Sequence, residues 1–201
     1  HFLTLCHGYD YVFFDMGPSL GAINRSILLA CDYFVTPMSS DVFSLLALGN
    51  IGSSISSWSK LFNKGILELD EDKKRSLDGM RQRCEIEFLG YVEQQYIMKY
   101  TGGTARAVRA YDEILKQIPE AIQKDVVNQI NIGKDNEINY KIGSIPNFYS
   151  LVPMSQTAHK PIFELSACDG VVGAHYQKVK AFESLMNAIV DRMLNNMEAL
   201  K

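Results

Sequence analysis

The sequence has little from which a metal centre or a disulfide framework could be built. Its four cysteines, Cys6, Cys31, Cys84 and Cys168, lie far apart with no paired metal-ligand spacing. Cys31 falls inside an apolar helical pattern, so the set reads as reduced, mostly buried thiols, as expected of a cytoplasmic protein. The four histidines, His1, His7, His159 and His175, are equally scattered. No His-x-x-x-His or mixed His/Cys cluster points to zinc. No apolar run reaches the roughly 18 residues that a membrane span requires, and no leader pattern is visible, so neither export nor membrane insertion is expected. Basic excess is also missing: 20 Lys and Arg face 23 Asp and Glu, a net charge of −3. That excludes the global positive field of an obvious nucleic-acid binder and leaves a local patch open. There is no internal repeat and no low-complexity tract.

What is present is ordinary globular material: 201 residues, 47% hydrophobic and 21% charged, enough for one α/β domain with a sizeable core. The chain reads outward from Tyr9 to Gly21, Tyr-Asp-Tyr-Val-Phe-Phe-Asp-Met-Gly-Pro-Ser-Leu-Gly. The unalternating run from Tyr11 to Phe14 predicts a strand buried on both faces of a parallel sheet. Asp15 stands where that strand leaves the sheet, and Gly17, Pro18 and Gly21 supply a turn before a helical pattern from Ala22 to Ala30. Tyr33 to Met38 predicts a second strand, and the βαβ unit implies a parallel pair with a right-handed crossover. Ligands of open α/β sheets bind at the carboxyl ends of strands. An acid placed there can hold Mg²⁺ through water, or more plainly cap the next helix.

Further along, Ser40 or Asp41 can cap a long helix with apolar positions Phe43, Leu46, Ile51, Ile55, Trp58 and Phe62, stopping near Lys64-Gly65. Residues 68–87 mix Lys73, Lys74, Arg75, Arg81 and Arg83 with acids that include Glu68, Asp70, Glu71, Asp72, Asp78 and Glu85, which favours a solvated face over a phosphate-binding one. Glu85 to Tyr96 predicts a strand. Lys99 to Arg106 carries Gly102 and Gly103 but no Gly-Lys-[Ser/Thr] ending, and reads as a βα turn capped by Thr101 or Thr104. Helical patterns follow from Ala105 to Ile118 and from Ala121 to Ile130, interrupted at Pro119. Asn139 to Ile145 predicts another strand. Val179, Phe182, Leu185, Met186, Ile189, Val190, Met193, Leu194 and Met197 then trace the apolar stripe of a last helix packed on the sheet.

The stretch Tyr-Asp-Tyr-Val-Phe-Phe-Asp-x-x-Pro-Ser-Leu-Gly, then Asn24, then Ala30-Cys31-Asp32-Tyr33-Phe34-Val35-x-Pro37, resembles the Walker B and switch II region of the ParA/MinD family of partition and positioning ATPases, closer to its ParA-like members. Met16 and Gly17 stand where the family usually has a small residue and Pro. A second stretch, Ser144-Ile145-Pro146-Asn147-Phe148 with Lys160-Pro161-Ile162 a dozen residues on, is similar to the loop that wraps the adenine in that family.

The resemblance implies an α/β P-loop NTPase-like fold, a mostly parallel sheet flanked by helices. The family's glycine-rich, two-lysine phosphate loop does not precede Tyr9. Residues 1–201 are therefore expected to be the C-terminal portion of a single ParA-like nucleotide-binding domain, with its first strands missing and no ATPase activity alone. The complete protein would bind ATP and Mg²⁺ and form a homodimer in the ATP state. It would answer to a ParB-like partner protein and bind non-specific DNA during plasmid or chromosome partition. Asp15 would hold the metal-bound or attacking water, and Pro18 and Ser19 would form a switch turn sensing the γ-phosphate. Gln94 would hydrogen-bond the base edge, main-chain groups of Pro146 and Asn147 would read the adenine, and Phe148 would cover its ring. The plainer alternatives are a polar strand exit at Gln94 and a core Phe148. Lys178 and Lys180 are candidates for DNA backbone contact against a solvent-exposed alternative. The last helix, with Asp191 and Glu198 beside Arg192 and Lys201, lacks the basic face of the family's membrane-binding helices, so no membrane docking is expected. Two other classes stay open: a non-catalytic ParA-like binding module, and a P-loop biosynthetic ligase or amidotransferase.

Overall fold

The computed structural model describes residues 8–17, 19–77, 82–96, 98–101, 104–107, 113–134 and 138–201. Along the chain run α1 (Ala22–Ala30), β1 (Tyr33–Ser39), α2 (Val42–Leu67), α3 (Glu71–Ser76), β2 (Glu87–Tyr96), β3 (Met98–Thr101) and β4 (Thr104–Ala107). Then come α4 (Ile118–Ile122), a π-helical stretch (Gln123–Val127), α5 (Asn128–Ile130), β5 (Lys141–Pro146), α6 (Leu151–Ala158) and α7 (His175–Leu200). Three strands form a parallel sheet in the order β1-β2-β5, flanked by helices, and β3 and β4 pair separately. The fold is α/β, consistent with a P-loop NTPase-like architecture.

The chain divides into two compact units: His1–Phe34 with Leu46–Phe88 and Glu120–Gly133, and Val35–Leu45 with Leu89–Pro119 and Lys134–Lys201. In the first, Leu28, Leu48, Ile55, Ile86, Phe88, Ile122, Val126 and Val127 are buried. The rings of Phe34 and Phe88 meet at 5.0 Å. Gly52 lets two helices touch backbone to backbone, since a Cβ there would overlap the Asp125 carbonyl of the π-helical stretch. Two asparagines stand in for strand neighbours here. The Asn131 side chain accepts from Phe88 N–H at 2.8 Å and donates to the Phe88 carbonyl at 2.9 Å. Asn63 treats Cys84 the same way, at 2.7 and 3.1 Å. Each satisfies a buried donor and acceptor that would otherwise be costly to leave unpaired.

In the second unit, one face of α7 packs on strand residues: Ile189 is buried with Val92 and Ile142, and Val35, Ile145, Leu185, Met186 and Met193 close around them. Val179 and Phe182, nearer the start of the same helix, join Leu151, Ile162, Leu165, Val171, Phe148 and Met154. Val190 and Leu194, the outer edge of the apolar stripe, remain exposed. Asn196 is buried and donates to the carbonyls of Leu89 and Asn139 at 2.9 and 3.0 Å. Gly90, inside β2 at φ +144°, has no room for a side chain against the Tyr140 carbonyl.

Several expectations hold closely. The predicted strands at 33–38, 85–96 and 139–145 are β1, β2 and β5, and the predicted helix at 22–30 is α1. Asp41 rather than Ser40 caps α2, accepting from Ser44 N–H at 2.8 Å and from its hydroxyl at 3.0 Å. Three are corrected. Residues 8–17 form no strand, and Tyr11, Phe13 and Phe14 are 53%, 79% and 49% exposed. A strand exists by pairing, and no described strand pairs with this run, so the predicted βαβ crossover is not made; β1 pairs with β2 instead. The segment 99–106 is not a βα turn: β3 and β4 form an antiparallel hairpin in which Thr101 faces Thr104. The helix predicted from Ala105 is displaced at its start by β4, because cross-strand hydrogen bonds outbid a weak helical pattern.

Candidate functional site

The carboxyl ends of β2 and β5 lie side by side, with Gln94 opposite Ile145 and Tyr96 opposite Pro146. The register slips between Gln94 and Tyr96, so the ladder loosens at the mouth of the sheet. Gln94 and Pro146, named from separate parts of the sequence, therefore lie at the same end of adjacent strands, and Asn147 and Phe148 follow directly on the chain; all four are half-buried. That is where a doubly wound sheet receives ligands.

A charged cluster underlies this end of the sheet. Glu93 is only 5% exposed. Its carboxylate is met by the Lys141 ammonium at 2.7 Å and by the Ser144 hydroxyl, donating at 2.7 Å. Burial and, second, the Glu93 charge push the neighbouring Tyr91 hydroxyl up to about 12. A carboxylate held this way is already satisfied, and fixes β2 against β5.

The loop after β5 is tightly determined. The Asn147 side-chain oxygen accepts the Tyr149 N–H at 2.7 Å, which closes a turn with Tyr149 at φ +46°. Phe148 meets Phe182 edge to face at 5.0 Å and lies against the core cluster of Leu151 and Ile162. Its ring is thus engaged in packing, as in the plainer of the two expectations. Ser150 Oγ lies 3.4 Å from His175 Nε2 at the start of α7. Lys160 binds both oxygens of Asp169, at 3.0 and 3.1 Å. With the Ser166 hydroxyl and N–H, that ammonium holds the Asp169 carboxyl well down, to about 2, while the Lys160 ammonium is pushed up by Asp169 in return.

Asp15 and Ser19 belong to the first unit, where both are exposed; Pro18 lies outside the described residues. Asn24 donates to the carbonyls of Gly17 and Ser19 at 2.8 and 2.7 Å, which ties those two residues to the first turn of α1. An exposed carboxylate beside a clamped turn has the chemistry to hold a hydrated Mg²⁺, which keeps several waters and asks for only one or two protein oxygens. Among the described residues no group of three or more His, Cys, Asp or Glu could hold a metal by itself. Hydrogen-bonding groups of both kinds are available at this end of the sheet: the Gln94 amide offers a donor and an acceptor, and the main chain at Pro146 and Asn147 adds carbonyls and an N–H.

The charged segment is self-balanced among its described residues. Lys73, Lys74 and Arg75 pair with Asp70, Glu71 and Asp72 at 2.9, 3.0 and 3.6 Å, and Arg83 with Glu85 at 3.1 Å. Lys178 and Lys180 are exposed near the start of α7. Sequence reasoning missed Glu93 and Tyr149. A carboxylate inside the apolar run Phe88 to Val92 and beyond, and an Asn two residues before a Tyr, were the available signals.

The sequence profile of a family described as "AAA domain" matches residues 2–67, which supports a P-loop NTPase family. A solved structure, that of protein DIP2308 from Corynebacterium diphtheriae, is similar in fold, with a TM-score of 0.53 and 24% identity over 74% of this chain. The chain spans about half, 47%, of the length of that protein. No curated protein matches. No described helix is long and apolar enough to cross a membrane.

Proposed function

We propose that this chain is part of a ParA-like ATPase, a cytoplasmic switch that dimerises with ATP and Mg²⁺ and serves DNA partition with a ParB-like partner protein and non-specific DNA. The observation that carries the reading is the convergence of Gln94, Pro146 and Asn147 at the adjacent carboxyl ends of β2 and β5. The P-loop NTPase family profile over residues 2–67 supports it independently. In this reading Gln94 and the main chain at Pro146 and Asn147 hold the adenine edge. Asp15 orients water on the magnesium, and Ser19 with Pro18 forms the turn that responds to the nucleotide. The metal supplies charge neutralisation on the phosphates. Lys178 and Lys180 serve as DNA backbone contacts.

The test is magnesium-dependent ATP binding and turnover by the intact gene product, with and without Asp15→Ala, and its mass in solution with and without ATP. Turnover lost in Asp15→Ala with ATP binding retained supports the switch. Turnover unchanged in Asp15→Ala removes that residue from the chemistry. The polypeptide of 201 residues alone is expected to hydrolyse no ATP. Magnesium-dependent turnover by it, abolished by Asp15→Ala, refutes that. A second reading, a binding module without catalysis, is favoured by one observation: Tyr11, Phe13 and Phe14, before Asp15, are exposed and belong to none of the described strands. ATP binding without turnover in the intact product selects it.

A further inference from the structure

We propose that Tyr149, not Phe148, is the aromatic residue that stacks on the nucleotide base at the carboxyl end of β5. The inference rests on the nucleotide reading above and deepens it. Tyr149 is 58% exposed and holds φ +46°, a left-handed conformation that a bulky side chain adopts at a cost. Strain of that kind persists only where neighbours over-determine it. They do so here from both sides. Upstream, Phe148 is wedged edge to face on Phe182. Downstream, Leu151 is fully buried. Between them the Asn147 side chain holds the Tyr149 N–H at 2.7 Å.

The result is a rigid turn that commits one aromatic ring to the core and presents the next to solvent, three residues beyond Pro146. The same turn has little to offer a phosphate. The N–H groups of Leu151 and Val152 at the start of α6 are bonded to the carbonyls of Phe148 and Tyr149, and Pro153 has none. What remains is an exposed flat π-face on the loop that leaves the carboxyl end of β5, three residues beyond Pro146, which suits a heteroaromatic base rather than its phosphates.

The experiment titrates the intact gene product with magnesium ATP and, separately, with magnesium tripolyphosphate, which lacks the base. Tyr149→Gly removes the ring and suits the left-handed backbone, so its Tm is expected to equal or exceed that of the wild type. Its ATP affinity should fall about tenfold while tripolyphosphate binding stays unchanged. Tyr149→Phe should keep ATP affinity. ATP binding undiminished in Tyr149→Gly overturns the stacking role, as does an equal loss for both ligands. Wild-type protein that binds neither ligand overturns the nucleotide reading itself, and one that binds both alike removes base recognition from it.

Discussion

Two short apolar stretches, residues 11–14 and 88–92, look alike as sequence and behave oppositely in the structure. Both are rich in aromatic and aliphatic side chains and both lead to a carboxylate, Asp15 or Glu93. Phe88, Leu89 and Tyr91 are almost wholly buried, in a strand paired with β5 and pinned by Asn131 at Phe88. Tyr11, Phe13 and Phe14 are exposed and unpaired among the described strands. A central strand is therefore not a property of its own residues. It is made by neighbours that satisfy its amides and cover its two faces. The carboxylates follow suit: Glu93 needs Lys141 and Ser144 because it is out of water, while Asp15 stays solvated.

Breaking the buried stretch should cost most. Phe88→Ala empties a fully packed site and is expected to lower stability by about 3–5 kcal/mol in chemical denaturation, or to prevent folding. A loss below 1 kcal/mol contradicts the packing described. Next, Asn131→Ala removes the buried side chain that accepts from the Phe88 N–H and donates to its carbonyl, and should cost about 2–4 kcal/mol. Substituting Asn131 by Asp, which keeps only the acceptor, should recover part of that. Lys141→Ala leaves Glu93 with Ser144 alone. Because that ammonium is half exposed, the expected loss is a discounted 1–2 kcal/mol, roughly, in chemical denaturation.

A smaller, pH-dependent effect comes from Asp169. Its carboxyl is lowered from an ordinary 3.8 to about 2, so the stabilisation it provides is complete above pH 4 and is lost as pH falls through 2. A stability–pH curve for Asp169→Asn should lack that segment, and an unchanged curve would show that Lys160 does not hold it. At the other end, Tyr91 is raised to about 12, so the fold should weaken between pH 10 and 12 as the unfolded chain ionises first. Smallest of all is Phe13→Ser, expected within about 0.5 kcal/mol of zero. A cost above 2 kcal/mol would mean that the two stretches are not opposites after all.

From the residues alone came the α/β class, the strands β1, β2 and β5, α1, the capped start of α2 and the apolar stripe of α7. These rest on local signals: runs of β-branched and aromatic residues, a Ser/Asp pair ahead of a helical period, and a 3.6-residue repeat. That Gln94 and Pro146 would both end strands was also legible, through the strand patterns before them, and the pairing of β2 with β5 sets those two ends side by side. Only the tertiary structure decided the rest. Whether residues 11–14 would be a strand depended on pairing partners, and whether 99–107 would be turn or hairpin depended on hydrogen bonds between strands. Which of two adjacent aromatics faces the core depended on Phe182, thirty-three residues beyond Tyr149. Each of these is settled by groups distant in the chain, because hydrogen-bond pairing and burial are relations between segments, and no single segment's letters contain them.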